Sequence, residues 1–141
     1  MHRGTAAALM LLGFTITAHA QPATLTLACK GTTTFTADDP DAKKLEPISM
    51  GIIVDFSART VQDFGFPGVL DYPVKITGAN KVTVAFLGSL ETRYSNYRTQ
   101  GSINRVTGDV EAISMVYDSK TGNILAQTAY TLQCRPTQRM F

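Results

Sequence analysis

Alternating apolar and polar residues, broken at short intervals by turn-forming residues, are the feature that most restricts the fold of this chain. In residues 23–29, Leu25, Leu27 and Cys29 fall on one face and threonines fall on the other. Residues 124–134 repeat the pattern, and Cys134 is among the residues that share a face there. A period of two, with many β-branched residues, is typical of β-strands that have one buried face. The sequence therefore predicts a strand near each end of the domain.

Six further stretches between these two have the same strand character, and none has the strong period of a helix. They cover residues 48–56, 61–64, 72–77, 81–87, 97–106 and 110–117. Residues 78–80 and 107–109 contain glycine with asparagine or aspartate and are typical of hairpin turns, whereas the polar residues 37–47 indicate a long loop. About eight strands joined by tight turns predict an all-β fold, a single antiparallel meander that is either a closed barrel of the lipocalin or avidin type or a sandwich.

The first residues of the chain have the pattern of a cleavable export signal. Arg3 supplies the positive start, residues 6–14 form an apolar run, and residues 18–20 (Ala-His-Ala) match the small-x-small site that signal peptidase cleaves. The run is too short to span a bilayer, which needs about 20 apolar residues. We predict a signal peptide over residues 1–20 and a single β domain over residues 21–141. The mature protein is then periplasmic or secreted and has no transmembrane segment.

Removal of the signal also removes both histidines, His2 and His19, from the mature protein. A Ser-His-Asp triad, a Cys-His pair and a histidine-ligated metal site are then excluded. Two cysteines remain, Cys29 and Cys134, in a compartment that favours oxidation. Free thiols and a two-sulfur metal site are poorer alternatives, because two sulfurs make an incomplete ligand set. The sequence predicts a disulfide between Cys29 and Cys134 that ties the first strand to the last, a placement suited to a closed barrel.

Charge and acidic residues give no sign of a nucleic-acid partner, a metal or a reaction. The chain has 13 basic and 11 acidic residues, and loss of Arg3 brings its net charge to about +1, so no electrostatic attraction to nucleic acid is expected. The acidic residues at 38–41 lack the spacing of a calcium loop and are interpreted as a solvated loop. No two carboxylates stand out by their spacing as a glycosidase pair. We expect a protein with no cofactor and no enzymatic activity.

One aromatic stretch is the most interaction-like part of the sequence. Arg93, Tyr94, Tyr97 and Arg98 interleave arginine with tyrosine, a combination that stacks on sugars or bases and contacts protein partners. The alternative is a hairpin loop whose tyrosines cover the end of the barrel while its arginines stay in water. These four residues are therefore candidates for binding a ligand or a partner.

A second aromatic group surrounds Pro67. Phe64, Phe66 and Tyr72 either form an apolar lip over an internal cavity or fill the core. Phe66 is included among the candidate binding residues on the first of these interpretations.

Two resemblances add to this interpretation. Residues 101–108 (Gly-Ser-Ile-Asn-Arg-Val-Thr-Gly) and 130–136 (Tyr-Thr-Leu-Gln-Cys-Arg-Pro) resemble short exported proteins of rhizobia and related α-proteobacteria, which implies export and no particular activity. More loosely, the cysteine near each end and the tyrosine-containing residues 89–97 resemble periplasmic inhibitors of c-type lysozyme, which are small exported β-barrels. That resemblance implies a loop, here residues 93–96, that enters the lysozyme cleft. The glycine and the downstream Lys-Gly of such a loop are missing from this sequence.

The sequence leaves two functions open for a non-catalytic binding module of the cell envelope. The first is a barrel whose interior holds a small apolar ligand or a lipid. The second is a protein-interaction or inhibitor module that acts on an envelope protein through residues 93–98. An interior with space for a ligand favours the first function, and a solidly packed interior favours the second.

Overall fold

A computed structural model describes residues 23–37, 44–62 and 72–137 of the chain. These residues form eight antiparallel strands that pair in chain order, and the last strand pairs with the first to close a barrel. The strands are β1 (Thr24–Thr36), β2 (Lys44–Asp55), β3 (Thr60–Gln62), β4 (Val74–Ala79), β5 (Thr83–Glu91), β6 (Ser95–Asn104), β7 (Asp109–Asp118) and β8 (Ile124–Pro136). The predicted all-β meander is confirmed, and of the two architectures left open it is the closed barrel. The predicted signal peptide, residues 1–20, lies outside the described residues.

The barrel closes where β1 meets β8, and the predicted disulfide crosses this junction. Cys29 and Cys134 lie directly opposite one another in the register of the two strands, and their sulfur atoms are bonded at 2.01 Å. Both side chains are almost completely buried. The disulfide prediction is confirmed, and the bond is consistent with an oxidising, extracytoplasmic compartment.

Two strands extend further than the sequence pattern predicts. The loop predicted for residues 37–47 is wrong at its C-terminal end, because β2 begins at Lys44 and its Pro47 pairs with Thr32 of β1. β1 likewise continues beyond residue 29, the last residue of the predicted strand, to Thr36. The polar and proline-containing residues of β2 have weak strand preference, but a long neighbouring strand supplies ladder partners, and tertiary context overrides that preference.

The two ends of the barrel carry different sets of turns, and we refer to them as the upper and lower ends. The upper end carries the turns at residues 56–59, 80–82 and 105–108. The lower end carries the turns at residues 92–94 and 119–123. The β1–β8 disulfide is nearer the upper end, since Cys134 lies two residues from the end of β8.

An aromatic ring covers the upper end of the interior. Phe56 packs against the buried core, and the guanidinium carbon of Arg105 lies 5.2 Å from the centroid of its ring. Nη1 of Arg105 donates a hydrogen bond to the carbonyl oxygen of Asn80, 2.7 Å away, which fixes the guanidinium in this position. The neighbouring turn is held in the same manner, since Nη2 of Arg59 donates to the carbonyl oxygen of Ile76 at 3.1 Å.

The hydrophobic core occupies the upper half of the barrel and draws on the inward face of every strand. Its most deeply buried aliphatic and aromatic members are Leu27, Ile52, Val54, Val61, Val74, Ile76, Val84, Phe86, Ile103, Val110 and Leu132. These side chains have little or no solvent exposure, so the upper interior is closed to solvent. In the three described ranges there is no helix, and so none of the length and apolar character needed to cross a membrane.

Candidate functional site

The exposure of the inward side chains increases toward the lower end of the barrel. On β2, Ile52 and Val54 are fully buried, Ile48 is half-buried and Glu46 is exposed. Because alternate residues of a strand point to the same face, these four residues belong to one face. Ile48 packs against the core, which identifies this face as the inward one. β2 therefore passes from solid core to partly accessible interior along its length.

The same change occurs on β5, β6, β7 and β8, and at one level. Leu90, Tyr97, Val116 and Ala126 are half-buried, and each lies directly opposite the next in the register of these four strands. Leu90 and Tyr97 pack against the core, so the row faces inward. On β1 the corresponding lower residue, Phe35, is 43% exposed.

These partly accessible side chains define one region, which we name the lower recess. It is lined by Phe35, Ile48, Leu90, Tyr97, Val116 and Ala126. All six are apolar or aromatic, and they come from six of the eight strands. A concave, mainly apolar surface with a few well-placed polar groups is the usual form of a small-molecule site.

A row of small polar residues lies immediately above the lower recess. Gly88, Thr99, Ser114 and Thr128 are opposite one another on β5 to β8, two residues above the Leu90 row on each strand. Thr99 and Ser114 have no solvent exposure, and Thr128 has 9%. Buried hydroxyls require hydrogen-bond partners, because a buried polar group without one costs about 1–3 kcal/mol.

Two tyrosines join this row into a hydrogen-bonded chain of four hydroxyls. The Tyr72 hydroxyl bonds to Oγ1 of Thr99, which in turn bonds to Oγ of Ser114 at 2.8 Å. Tyr130 on β8 is hydrogen-bonded to Ser114 from the other side. Tyr72 and Tyr130 keep 8% and 7% exposure, whereas the two hydroxyls between them keep none. The two tyrosines are thus the ends of the chain, and all four of its residues are buried.

A glycine on β5 makes room for one of these tyrosines. A Cβ atom at Gly88 would lie 2.9 Å from Cγ2 of Val74 and 3.0 Å from Cε2 of Tyr72, closer than packed atoms tolerate. The Tyr72 ring therefore lies across the backbone at a position where a side chain is excluded. Of the three aromatic residues around Pro67, Tyr72 is buried in the barrel, whereas Phe64 and Phe66 lie outside the described residues.

The two terminal tyrosines stay protonated at neutral pH. Burial raises the pKa of Tyr72, and its hydrogen bond with Thr99 offsets part of that rise. Burial likewise raises the pKa of Tyr130, and the charge that Tyr72 would carry raises it further. The two phenol groups are therefore within electrostatic reach of one another, and both present neutral hydroxyls.

No lysine or arginine with a fully described side chain faces the lower recess. Arg98 and Lys75 lie on the outward faces of β6 and β4, and Arg93 and Lys120 lie in turns. The acidic Glu46 lies on the inward face of β2 at the lower end. The described side chains of the lower recess are thus apolar, with neutral hydroxyls above them.

The four residues of the predicted binding stretch point in different directions. Arg93 and Tyr94 lie in the turn between β5 and β6, where the Arg93 guanidinium carbon is 5.5 Å from the Tyr94 ring centroid. Tyr97 faces inward and lines the lower recess, whereas Arg98 is exposed on the outer face. The structure therefore brings together only Arg93 and Tyr94, and it separates Tyr97 from them as an interior residue. Phe66 lies outside the described residues.

Hydrogen bonds fix the turn that carries Arg93 and Tyr94 to its neighbour. Oγ of Ser119 donates to the carbonyl oxygen of Arg93 at 2.9 Å, and the Ser119 amide donates to that of Tyr94 at 3.3 Å. Within the turn, the Ser95 amide donates to Oγ1 of Thr92 at 3.0 Å. Tyr94, which is 72% exposed, is therefore displayed on a braced support.

Two aspartates, Asp55 and Asp118, serve as turn caps. Oδ1 of Asp118 accepts from the amides of Lys120 and Thr121, and Oδ1 of Asp55 accepts from the amides of Ser57 and Ala58. These bonds lower the pKa of both carboxyl groups. Within the described ranges no group of three or more acidic, cysteine or histidine residues is placed to hold a metal ion.

A separate groove of about 710 Å³ lies on the outer surface, across the β8–β1–β2 junction near the upper end. Ala28 and Gly51 are among the small outward residues at its base, and Lys30 and Arg135 lie beside them. The groove and the lower recess are on opposite sides of the barrel wall, so a ligand that occupies one is distinguishable from a ligand that occupies the other.

Comparison with known protein families, curated proteins and solved structures finds no match to this chain.

Sequence reasoning missed the hydroxyl chain, although part of its signal is present. Thr128 and Tyr130 were placed on one face of the last strand, and they do face inward. Thr99 and Ser114 occupy inward positions of β6 and β7, where apolar residues are expected. Each of three neighbouring strands has a hydroxyl residue at an inward position. That these residues lie side by side becomes clear only when the register of the strands is known.

Proposed function

We propose that this protein is a non-catalytic binding module of the cell envelope that holds a small apolar ligand or a lipid in the lower recess. The mature chain, residues 21–141, is on this proposal periplasmic or secreted. The observation that carries the proposal is the inward row of Leu90, Tyr97, Val116 and Ala126, which is half-buried where the rows above it are buried. When a ligand removes partly exposed apolar side chains from water, the complex is stabilised by about 25 cal/mol per Å² of apolar area buried.

The shape of the barrel supports entry from the lower end. Phe56 and Arg105 cover the upper end, and the core fills the upper half. Among the described residues, the apolar inward side chains are therefore partly exposed at the lower end, and the buried hydroxyl chain lies directly above them.

The chemistry of the site supports binding rather than catalysis. Hydroxyl groups act as nucleophiles when a base is placed beside them, and the hydroxyls of Thr99 and Ser114 are bonded to each other and to tyrosines. Asp55 and Asp118 are occupied at turns remote from that chain. The described recess thus offers hydrogen bonds and apolar contact.

Binding of N-phenyl-1-naphthylamine, an uncharged apolar fluorophore, tests the proposal. We expect saturable enhancement of its fluorescence by the wild-type protein and loss of that enhancement in Ala126→Trp, because the indole would fill the recess. Ala28→Trp is the matched control, since it enlarges an alanine of the outer groove instead. Circular dichroism and a thiol assay verify that each variant keeps its barrel and its disulfide. Loss of binding in Ala28→Trp but not in Ala126→Trp would place the ligand outside the barrel and contradict the proposal.

One observation favours a second function, that of an inhibitor or protein-interaction module. Tyr94 is 72% exposed on a hairpin that Ser119 braces, and an exposed aromatic on a rigid support is the usual form of an interface anchor. The Arg93 guanidinium stacked beside it adds a second anchor type.

Inhibition of a c-type lysozyme tests this second function. If Tyr94 inserts into the lysozyme cleft, the protein slows lysis of a bacterial cell suspension, and Tyr94→Ala abolishes the effect. Val106→Ala is the control, because Val106 is equally exposed, at 73%, in a turn at the upper end. Undiminished lysis at saturating protein excludes lysozyme as the partner.

A further inference from the structure

The outer groove has a floor of two small residues on neighbouring strands. Ala28 of β1 and Gly51 of β2 lie opposite one another, and both are exposed on the outward face at the β8–β1–β2 junction. Alanine and glycine are uncommon in strands, because larger β-branched side chains fit the pleated surface better. This pair leaves a depression of about 710 Å³, which is within the size range of small-molecule sites.

The fold does not require the glycine in this floor. A Cβ atom at Gly51 would meet nothing closer than the carbonyl oxygen of Leu27, 3.9 Å away, and Gly51 does not have a positive φ. At Gly31, Gly88 and Gly101, by contrast, a Cβ atom would lie 2.9 Å or less from a neighbouring atom. Glycine weakens a strand, and it often marks a surface that another molecule approaches closely.

Two cationic side chains flank the floor. Arg135 of β8 lies directly opposite Ala28, so Gly51, Ala28 and Arg135 form one row across three strands. Lys30 lies two residues from Ala28 on the same face of β1, diagonal to Arg135. Diagonal neighbours on a sheet are about 7–8 Å apart, so a lysine and an arginine in these positions can both reach one oxyanion. Both side chains are exposed and line the groove.

The backbone and the neighbouring polar side chains indicate what kind of molecule fits the groove. β1 is an interior strand, paired with β2 on one side and with β8 on the other, so its backbone groups are already hydrogen-bonded. Asp109 lies beyond Gln133 on β7, and Oγ1 of Thr107 donates to its carboxylate. A peptide on this floor would lose hydration from its own backbone groups without gaining ladder partners. A small molecule with one anionic end and an apolar body avoids that loss.

We propose that the outer groove binds small amphipathic anions. The apolar body of such a ligand lies on Ala28 and Gly51. Its carboxylate, sulfonate or phosphate group lies between Lys30 and Arg135. The floor supplies space and apolar contact, and the two cations supply the preference for an anion. This site is separate from the lower recess, so the inference does not depend on the proposed function.

The fluorophore 8-anilinonaphthalene-1-sulfonate tests the cations, because it has the ring system of N-phenyl-1-naphthylamine and one added sulfonate. We expect the oxidised wild-type protein to enhance its fluorescence in a saturable manner, and added sodium chloride to weaken the binding. The variant Lys30→Gln/Arg135→Gln should bind the probe about tenfold more weakly. Lys75→Gln/Lys120→Gln is the control, because it removes the same net charge from two exposed lysines away from the groove.

The variant Gly51→Val tests the floor. The valine side chain would occupy the depression, so we expect loss of binding of the sulfonate probe. The unfolding midpoint should not fall, since space is available for the new side chain and valine has the higher strand preference. Gly78→Val is the control, because Gly78 is on β4 and a Cβ atom there would have no neighbour within 4 Å. It should bind the probe as the wild type does.

The outcomes separate this inference from the other possible occupants and from the proposed function. The inference is wrong if the folded wild type does not bind the sulfonate probe, or if either groove variant binds it as the wild type does. It is also wrong if inorganic phosphate competes as strongly as the probe binds, since the floor then contributes nothing. Self-association of the wild type that Gly51→Val abolishes, measured by sedimentation velocity, would identify a second copy of the chain as the occupant and overturn the inference. Failure of N-phenyl-1-naphthylamine to bind would contradict only the proposed function.

Discussion

Removal of the disulfide should destabilise this barrel by an amount that follows from its place in the chain. Cys29 and Cys134 are 105 residues apart, so the bond closes a loop that includes nearly the whole domain. In the chain-entropy description, closing a loop of that size lowers the entropy of the unfolded chain by an amount worth about 4.8 kcal/mol at 25 °C. For a domain of about 120 residues this corresponds to a fall in Tm of about 19 °C.

The variant Cys29→Ala/Cys134→Ala is measured by denaturant unfolding and by calorimetry, beside the wild type in its oxidised and reduced forms. The reduced wild type keeps both sulfur atoms and loses only the crosslink, so it isolates the loop effect from the packing loss. We expect a free energy of unfolding about 4–5 kcal/mol lower for the reduced wild type, and slightly lower again for the variant. The folded barrel should persist, since nine further residue pairs join β1 to β8. A fall in the free energy of unfolding of less than about 1 kcal/mol in both forms would contradict this prediction.

Three further predictions concern the interior and the turns. Gly88→Ala should destabilise the barrel by about 1–3 kcal/mol, because the new methyl group would be too close to Val74 and Tyr72. Gly51→Ala is the control and should cost little, because its nearest contact would be 3.9 Å away. Equal unfolding midpoints for the two variants would contradict this prediction. Tyr130→Phe should reduce the loss of stability that alkaline pH causes above about pH 10, as measured by unfolding at several pH values. Burial raises the pKa of Tyr130 in the folded protein, so the neutral phenol stabilises the fold fully below the pKa of the unfolded chain. That stabilisation is lost as the pH rises through the pKa of the folded protein. Asp118→Asn should remove part of the fall in stability below about pH 4. The lowered pKa of Asp118 means that its carboxylate stabilises the fold, and this stabilisation is lost as the pH falls through the pKa of the folded protein. If urea unfolding shows the same fall in stability at low pH for the variant and the wild type, the turn-cap role is wrong.

The fold of this protein was predictable because its determinants are local or nearly so. Alternation of period two identifies strands, and glycine with asparagine or aspartate at residues 78–80 and 107–109 identifies hairpins. The cysteine near each end adds the one long-range restraint, and it favours a barrel because β1 and β8 must then be neighbours. The loop prediction for residues 37–47 was partly wrong because the extension of β2 to Lys44 depends on a non-local interaction, its pairing with β1. The local sequence preferences of those residues do not indicate this pairing.

The candidate site was less predictable, because it depends on register. The sequence left open whether Tyr97 joins Arg93 and Tyr94 in a binding stretch or covers the end of the barrel. In the structure, Tyr97 is the third residue of β6 and faces inward with Val116 and Leu90. A shift of one residue in the start of a strand reverses which side chains face the interior. The start of β6 at Ser95 is set by the braced turn at Thr92 and by pairing with β7, which the sequence pattern alone does not reveal.

The hydroxyl chain illustrates a second limit of sequence reasoning. Tyr72 reaches Thr99 from 27 positions away, and it does so across Gly88, where no side chain is tolerated. A threonine or serine in a strand is ordinarily interpreted as solvent-facing, and only the ladder register shows that Thr99 and Ser114 are opposite one another and fully buried. Their hydrogen bonds make this burial acceptable, because each hydroxyl has a partner.

A titration of methyl chemical shifts with N-phenyl-1-naphthylamine is the most direct test of whether a ligand binds inside the lower half of the barrel. Neighbouring residues of β7 and β8 provide an internal comparison, since Val116 and Ala126 face inward and Ile113 and Ala129 face outward at nearby positions. The account predicts saturable shifts at Val116 and Ala126, with Ile113 and Ala129 nearly unchanged, because aromatic ring currents act over a few ångströms. Shifts confined to the outward pair or to Ala28 in the outer groove, or no saturable shift anywhere, would contradict it.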